Sequence, residues 1–121
     1  MTQEEKVLEY NNRCAKFLGV EYEIHSKTHR YKNLISTELL FHLDWNWIME
    51  IKEVIGGLKA DDFYMEWFVL DGPNVSLYKR HRQDGTVLWE CMGRFSKAKT
   101  QKQAIVYIIN EFLIWYKQNK L

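Results

Sequence analysis

Four histidines, two cysteines and an adjacent pair of aspartates are the residues of this 121-residue chain from which chemistry would have to be built. His25 and His29 lie four apart and His42 stands two before Asp44, a spacing that invites a metal ion. A metal site needs three or four converging ligands with partners behind them. These histidines, with His81, fall on a loop, a helix-capping segment and a hairpin, so no metal ligand set is expected. Asp61 and Asp62 form a carboxylate pair, but neighbours at a helix-to-strand turn point apart and stay hydrated. There is no G-x-S-x-G, H-E-x-x-H, Walker or G-x-G-x-x-G pattern to place a nucleophile, a zinc base or a phosphate loop. The sequence thus gives no catalytic residue and no cofactor, and it reads as a non-enzyme. Cys14 and Cys91, on an expected helix and an expected strand without CxxC spacing, read as buried thiols rather than a disulfide.

Charge is a stronger lead. Residues 1–78 carry 8 Lys/Arg against 13 Asp/Glu, whereas residues 79–102 carry 7 against 2, although the whole chain is only +1. Lys79, Arg80 and Arg82, with His81 between them, end one strand-like run. Arg94, Lys97, Lys99 and Lys102 lead into the last helix. Basic side chains beside a helix N-terminus, whose open N–H groups already favour anions, suit phosphate. The competing reading is a solvated hairpin whose charges keep a sheet edge from aggregating. Trp45 is the remaining candidate. It lies about 200° around its helix from Trp47, at roughly 100° per residue, so the two cannot share a core face. Trp45 either seats against the first helix or is an exposed anchor of the kind enriched at interfaces.

These residues depend on a small set of elements. Thr2 and Glu5 form a capping box for a helix over residues 3–18, closed by Gly19, with Val7, Leu8, Cys14, Ala15 and Leu18 as its apolar stripe. Asn11 and Asn12 lower helix propensity in its middle and call for hydrogen bonds to another element. Residues 20–40 read as a short strand at either end, with an exposed loop between that carries Lys27, Arg30, Tyr31 and Lys32. Asp44 caps a second helix starting at Trp45, with Leu43 able to staple onto Ile48. Its stripe is Trp47, Ile48, Ile51, Val54, Ile55 and Leu58, and Gly56-Gly57 loosens or ends it. Three strand-like runs follow over residues 63–70, 75–82 and 86–92, joined by Asp71-Gly72-Pro73-Asn74 and Gln83-Asp84-Gly85, the signature of an antiparallel meander. A last helix runs from the Thr100 cap to about Lys117. It is apolar on so many sides that it needs cover on more than one, from the earlier helices or from a second copy of the chain.

The expected fold is α+β, a single domain over 1–121. Its order is α-(β)-α-β-β-β-α, with a three-stranded antiparallel meander, a possible fourth short strand and three helices. With 46% hydrophobic residues, one proline and six glycines, the composition is that of a folded chain. Five tryptophans, seven tyrosines and six phenylalanines are more aromatic surface than one small core hides easily, at roughly 150–250 Å² each. That excess points to a homodimer or another interface. No charged-then-apolar leader opens the sequence, and its longest apolar-rich run, residues 104–116, is interrupted and too short for a bilayer. A cytoplasmic protein without membrane contact is expected.

The run Phe41-His-Leu-Asp-Trp-Asn-Trp-Ile-Met-Glu50, with Asn11-Asn12-Arg13 before it and Ser96-Lys97 and Glu111-Phe-Leu-Ile-Trp-Tyr116 after it, resembles a family of short proteins of bacteriophages and gut-type bacteria. The resemblance covers most of the chain, and its most specific piece is Asp44-Trp45-Asn46-Trp47. It carries no established activity and so assigns no functional residues. It implies a mobile-element context, and with it an accessory factor that binds a protein target and acts against a host system. The strand-strand-strand-helix order, with Ser96-Lys97-Ala98-Lys99 before the helix, is also similar to the double-stranded RNA-binding domain. That similarity implies duplex binding through residues 79–102, with Lys97 and Lys99 at phosphates. Two helices ahead of the sheet, and Asn74-Val75 where that module has its histidine region, depart from its pattern. The two function classes to separate are therefore a protein-binding factor and a nucleic-acid binder.

Overall fold

A threonine, a glutamate and a glycine set the first helix. In the computed structural model the Thr2 hydroxyl accepts from Glu5 N at 3.1 Å and the Glu5 carboxylate reaches back to Thr2, while Gly19 adopts φ +75°, which favours glycine, and its N–H bonds Ala15 O at 2.9 Å. Between these caps lies α1 (Gln3–Leu18). The structure describes residues 1–60, 63–71, 74–83, 86–94 and 99–119, with the backbone alone at 60, 63, 68–71, 74, 81–83, 86–94 and 119. The remaining elements are β1 (Glu21–Glu23), β2 (Thr28–Tyr31), β3 (Leu34–Ser36), α2 (Trp45–Gly56), β4 (Lys59–Ala60), β5 (Phe63–Asp71), β6 (Asn74–Gln83), β7 (Thr86–Arg94) and α3 (Gln101–Asn119). The class is α+β in the expected order. The chain divides into two compact units, Met1–Ile51 and Lys52–Leu121, with the boundary inside α2.

In the first unit the buried stripe of α1 is Tyr10, Asn11 and Cys14, flanked by half-buried Val7 and Leu18, at spacings of three and four. Leu8 falls off this stripe and stays exposed. Residues 20–40 are more ordered than their pattern suggested. β1, β2 and β3 form an antiparallel meander with Tyr22 opposite His29 and His29 opposite Ser36. The stretch expected as a loop supplies the central strand β2, because pairing on both sides satisfies its backbone without an apolar alternation. The apolar run 39–41 is not a strand: Leu43 N and Asp44 N both bond Leu40 O, making a turn that leads into α2. Asp44 caps that helix, its Oδ1 accepting from Asn46 N at 2.8 Å. Trp47, Ile48, Ile51 and Ile55 are buried, and the Phe41 ring meets Trp47 edge-on at 5.0 Å. Leu43 stays more than half exposed, so a staple onto Ile48 adds little.

The second unit is the sheet β4-β5-β6-β7, antiparallel throughout, with α3 packed on β6 and β7. The turns at 72–73 and 84–85 lie outside the described residues, as do Asp61 and Asp62, but the flanking strands pair as the hairpin signals imply. Trp67 donates from Nε1 to Lys52 O at 3.0 Å, and its ring passes 3.1 Å from where a Cβ on Gly56 would sit. Gly56 thus matters for close approach within the last turn of α2, not for a left-handed cap. The Thr100 hydroxyl accepts from Gln103 N at 3.2 Å, and Gln103 Oε1 accepts from Lys99 N at 2.9 Å, one residue earlier than a standard capping box would place it. Ala104, Ile105, Ile108, Ile109, Phe112 and Leu113 are buried, and Val106, Ile114, Trp115 and Tyr116 are half-buried. The wide apolar surface of α3 is therefore mostly covered within one chain, and it no longer argues for a second copy.

Trp47→Ala should cost about 3–5 kcal/mol in urea unfolding, as large aromatic truncations in cores do. Asp44→Ala should cost only about 1 kcal/mol, the loss of one cap.

Candidate interaction surface

One backbone residue in the first unit is held at both of its polar groups by side chains of α1. Phe41 N donates to Asn11 Oδ1 at 2.8 Å, and Phe41 O accepts from the Tyr10 hydroxyl at 2.9 Å. Asn11, only 3% exposed, also donates from Nδ2 to Val7 O at 3.1 Å and meets His42 Nδ1 at 2.9 Å. Because its oxygen is claimed by Phe41 N, its NH₂ faces His42. His42 Nδ1 is then the acceptor and the ring proton sits on Nε2. This is the reason for an asparagine in the middle of a helix. Asn12, by contrast, is exposed.

The titratable groups beside this grip are held neutral. Burial pushes the Cys14 thiol up to about 12, the neighbouring Tyr10 hydroxyl only partly offsetting it. Burial, with the neighbouring Cys14, also holds the Tyr10 phenol well above its ordinary value. A thiol of this kind is packing, not a nucleophile. The Cys91 side chain lies outside the described residues.

The small sheet stands apart in its burial. None of the ten residues of β1, β2 and β3 is buried, yet they and the adjoining turn carry Tyr22 at 50%, Ile35 at 54% and Ile24 at 79% exposure. The register places Tyr22, His29 and Ser36 on one face, with the Tyr22 and His29 rings 4.8 Å apart, and Glu21, Arg30 and Ile35 on the other. Lys27 and Lys32, at φ +55° and +52°, hold left-handed positions in the two turns, and Lys32 pairs with Glu50 of α2 at 2.7 Å. Trp45, on the far side of α2 from Trp47, keeps 39% of its surface exposed. The alternation Val20, Tyr22, Ile24 has the period of a strand, and nothing in that period tells whether its apolar residues face inward or outward.

Of the basic residues, Lys79 and Arg80 do not share a face. Lys79 and Arg80 are successive strand residues and face opposite sides of β6. Lys79 Nζ lies 5.3 Å from the Trp115 ring centroid on α3, whereas Arg80 sits over Tyr64 at 5.0 Å and pairs with Glu66 at 3.1 Å. Lys99 is exposed and Lys102 half-buried at the start of α3. The side chains of Arg82, Arg94 and His81, and all of Lys97, lie outside the described residues.

Comparison with protein-family models, with curated proteins and with solved structures finds no match for this chain. Among the described residues no three His, Cys, Asp or Glu side chains come together as a metal would need, and no helix is long and apolar enough to cross a membrane.

Asn11→Ala should destabilise the protein by about 1–3 kcal/mol, since it strands the buried Phe41 N–H. The pH dependence follows from the thiol. An unfolded Cys14 ionises above about 9 while the folded one stays protonated to about 12, so the native state binds the extra proton. Stability is complete below pH 9 and should fall through that window by up to about 1.4 kcal/mol per pH unit. Tyr10 adds to the loss in the same direction. Denaturant titrations from pH 8 to pH 11 should show this loss, and a shallower one in Cys14→Ala.

Proposed function

We propose that the protein is a non-enzymatic interaction factor that docks another protein through the outward residues of its first unit, with Tyr22, Ile24, Ile35 and Trp45 as the contacts. The observation that carries this reading is a three-stranded sheet of three- and four-residue strands with no buried residue, which exposes Tyr22 on one face and Ile35 on the other, with Ile24 exposed in the adjoining turn. A sheet so short gains little by itself, since independent stability needs an apolar face packed against something. Large apolar side chains left outside a sheet of this kind fit an interaction site. In the mobile-element setting that the sequence resemblance implies, the partner is a host protein and the factor acts against it.

The rival reading, duplex nucleic acid bound along residues 79–102, draws less support from the described side chains. Lys79 and Arg80 divide between two faces, and Arg80 is already engaged by a carboxylate. The domain is also nearly neutral, unlike most phosphate-binding modules.

The test is affinity capture from a bacterial lysate with the wild-type protein and an Ile24→Glu/Ile35→Glu variant, each with and without nuclease. A protein retained by the wild type, lost in the variant and indifferent to nuclease is the expected result. Capture that needs nucleic acid, with affinity falling steeply as salt rises, would overturn the proposal in favour of the duplex reading.

A further inference from the structure

Sheet β4-β5-β6-β7 ends on β7, and among the described residues no strand pairs with its outer edge. Its hydrogen-bonding alternation can be read from the hairpin. Gln83 and Thr86 are partners separated by two residues, so they exchange both backbone bonds. Counting on from that pair, Thr86, Leu88 and Glu90 turn their N–H and C=O groups toward β6, and Val87, Trp89 and Cys91 turn theirs outward. The regular edge stops there. Leu77 pairs with Gly93 but Tyr78 with Cys91, which leaves Met92 as the extra residue of a bulge.

Natural edge strands are blunted by lysine, proline or early bulges. Residues 86–91, Thr-Val-Leu-Trp-Glu-Cys, contain neither lysine nor proline and a single charge, and the bulge begins only after them. An edge that no described strand pairs with fits a strand added alongside.

We infer that this edge is the seam at which two copies of the chain pair, antiparallel about a two-fold axis through Trp89. The occupant follows from register. Outward residues must oppose outward residues, and of the two-fold registers that allow it, the one centred on Trp89 uses all three. It sets Val87 against Cys91 of the second copy, Trp89 against Trp89, and Cys91 against Val87. Glu90 then lies opposite Leu88. Centring on Glu90 would oppose two carboxylates, and centring on Leu88 would move Cys91 past the end of the strand. The edge is thus complementary to itself in backbone, charge and length, and an isologous pair of this kind closes without propagating. The inference is independent of the partner proposed above, since it uses neither the small sheet nor Trp45.

Light scattering at micromolar concentration should give twice the 14.7 kDa chain mass. Val87→Pro removes an outward N–H and no bond to β6, so it should halve that mass while leaving the circular dichroism spectrum unchanged. Register is tested by Val87→Cys, whose new thiol faces the native Cys91 of the second copy at a spacing a disulfide spans. Mild oxidation should give a covalent dimer on a non-reducing gel, and none when Cys91→Ser is added. A wild type that stays monomeric, or a dimer indifferent to Val87→Pro and not cross-linked through Val87→Cys, would overturn the inference.

Discussion

The paired grip of Tyr10 and Asn11 on the backbone of Phe41 is the constraint on which the first unit depends. A connection that leaves a strand and turns into a helix must either stay at the surface, where water satisfies its polar groups, or find partners inside. Here it goes inside. The N–H and C=O of one residue are both bonded by adjacent side chains of α1, and this lets the Phe41 ring be fully buried against Trp47. With Phe41 fixed, the turn at Leu40 and the Asp44 cap follow within three residues, so the start of α2 is set by α1 through polar contacts as much as by apolar packing.

The two units rest on different physics. The first has a narrow apolar core, supplemented by a buried amide and by two groups held neutral, and it leaves its small sheet at the surface. The second is a conventional layer, with α3 covering one face of β6 and β7 through a stripe of isoleucine and phenylalanine. Two of its basic side chains are engaged locally, Lys79 over an aromatic ring and Arg80 on Glu66. This contrast is why the proposed contacts with another protein fall on the first unit, while the second offers a strand edge.

Helices and hairpins were legible because their signals are local. The box at Thr2, the caps at Thr100 and Asp44 and the hairpin signals between the strand runs each act within a few residues of where they stand. The asparagine at position 11 also announced itself, since a poor helix former in a helix interior implies a bond elsewhere. What could not be read was non-local. β2 carries polar residues on both faces and is held only by its neighbours. Phe41 is buried by contacts from α1 some thirty residues back in the chain, and its run of three apolar residues looked like a strand. Adjacency along a strand sends Lys79 and Arg80 to opposite faces, so closeness in sequence alone does not make one charged surface.

Hydrogen exchange at the Phe41 amide tests the grip most directly. If Asn11 holds that N–H inside the unit, it should exchange only when the unit unfolds, as slowly as the central amides of α1 around Cys14. Exchange as fast as that of an exposed turn amide would mean that the bond to Asn11 does not hold the segment, and would contradict the account.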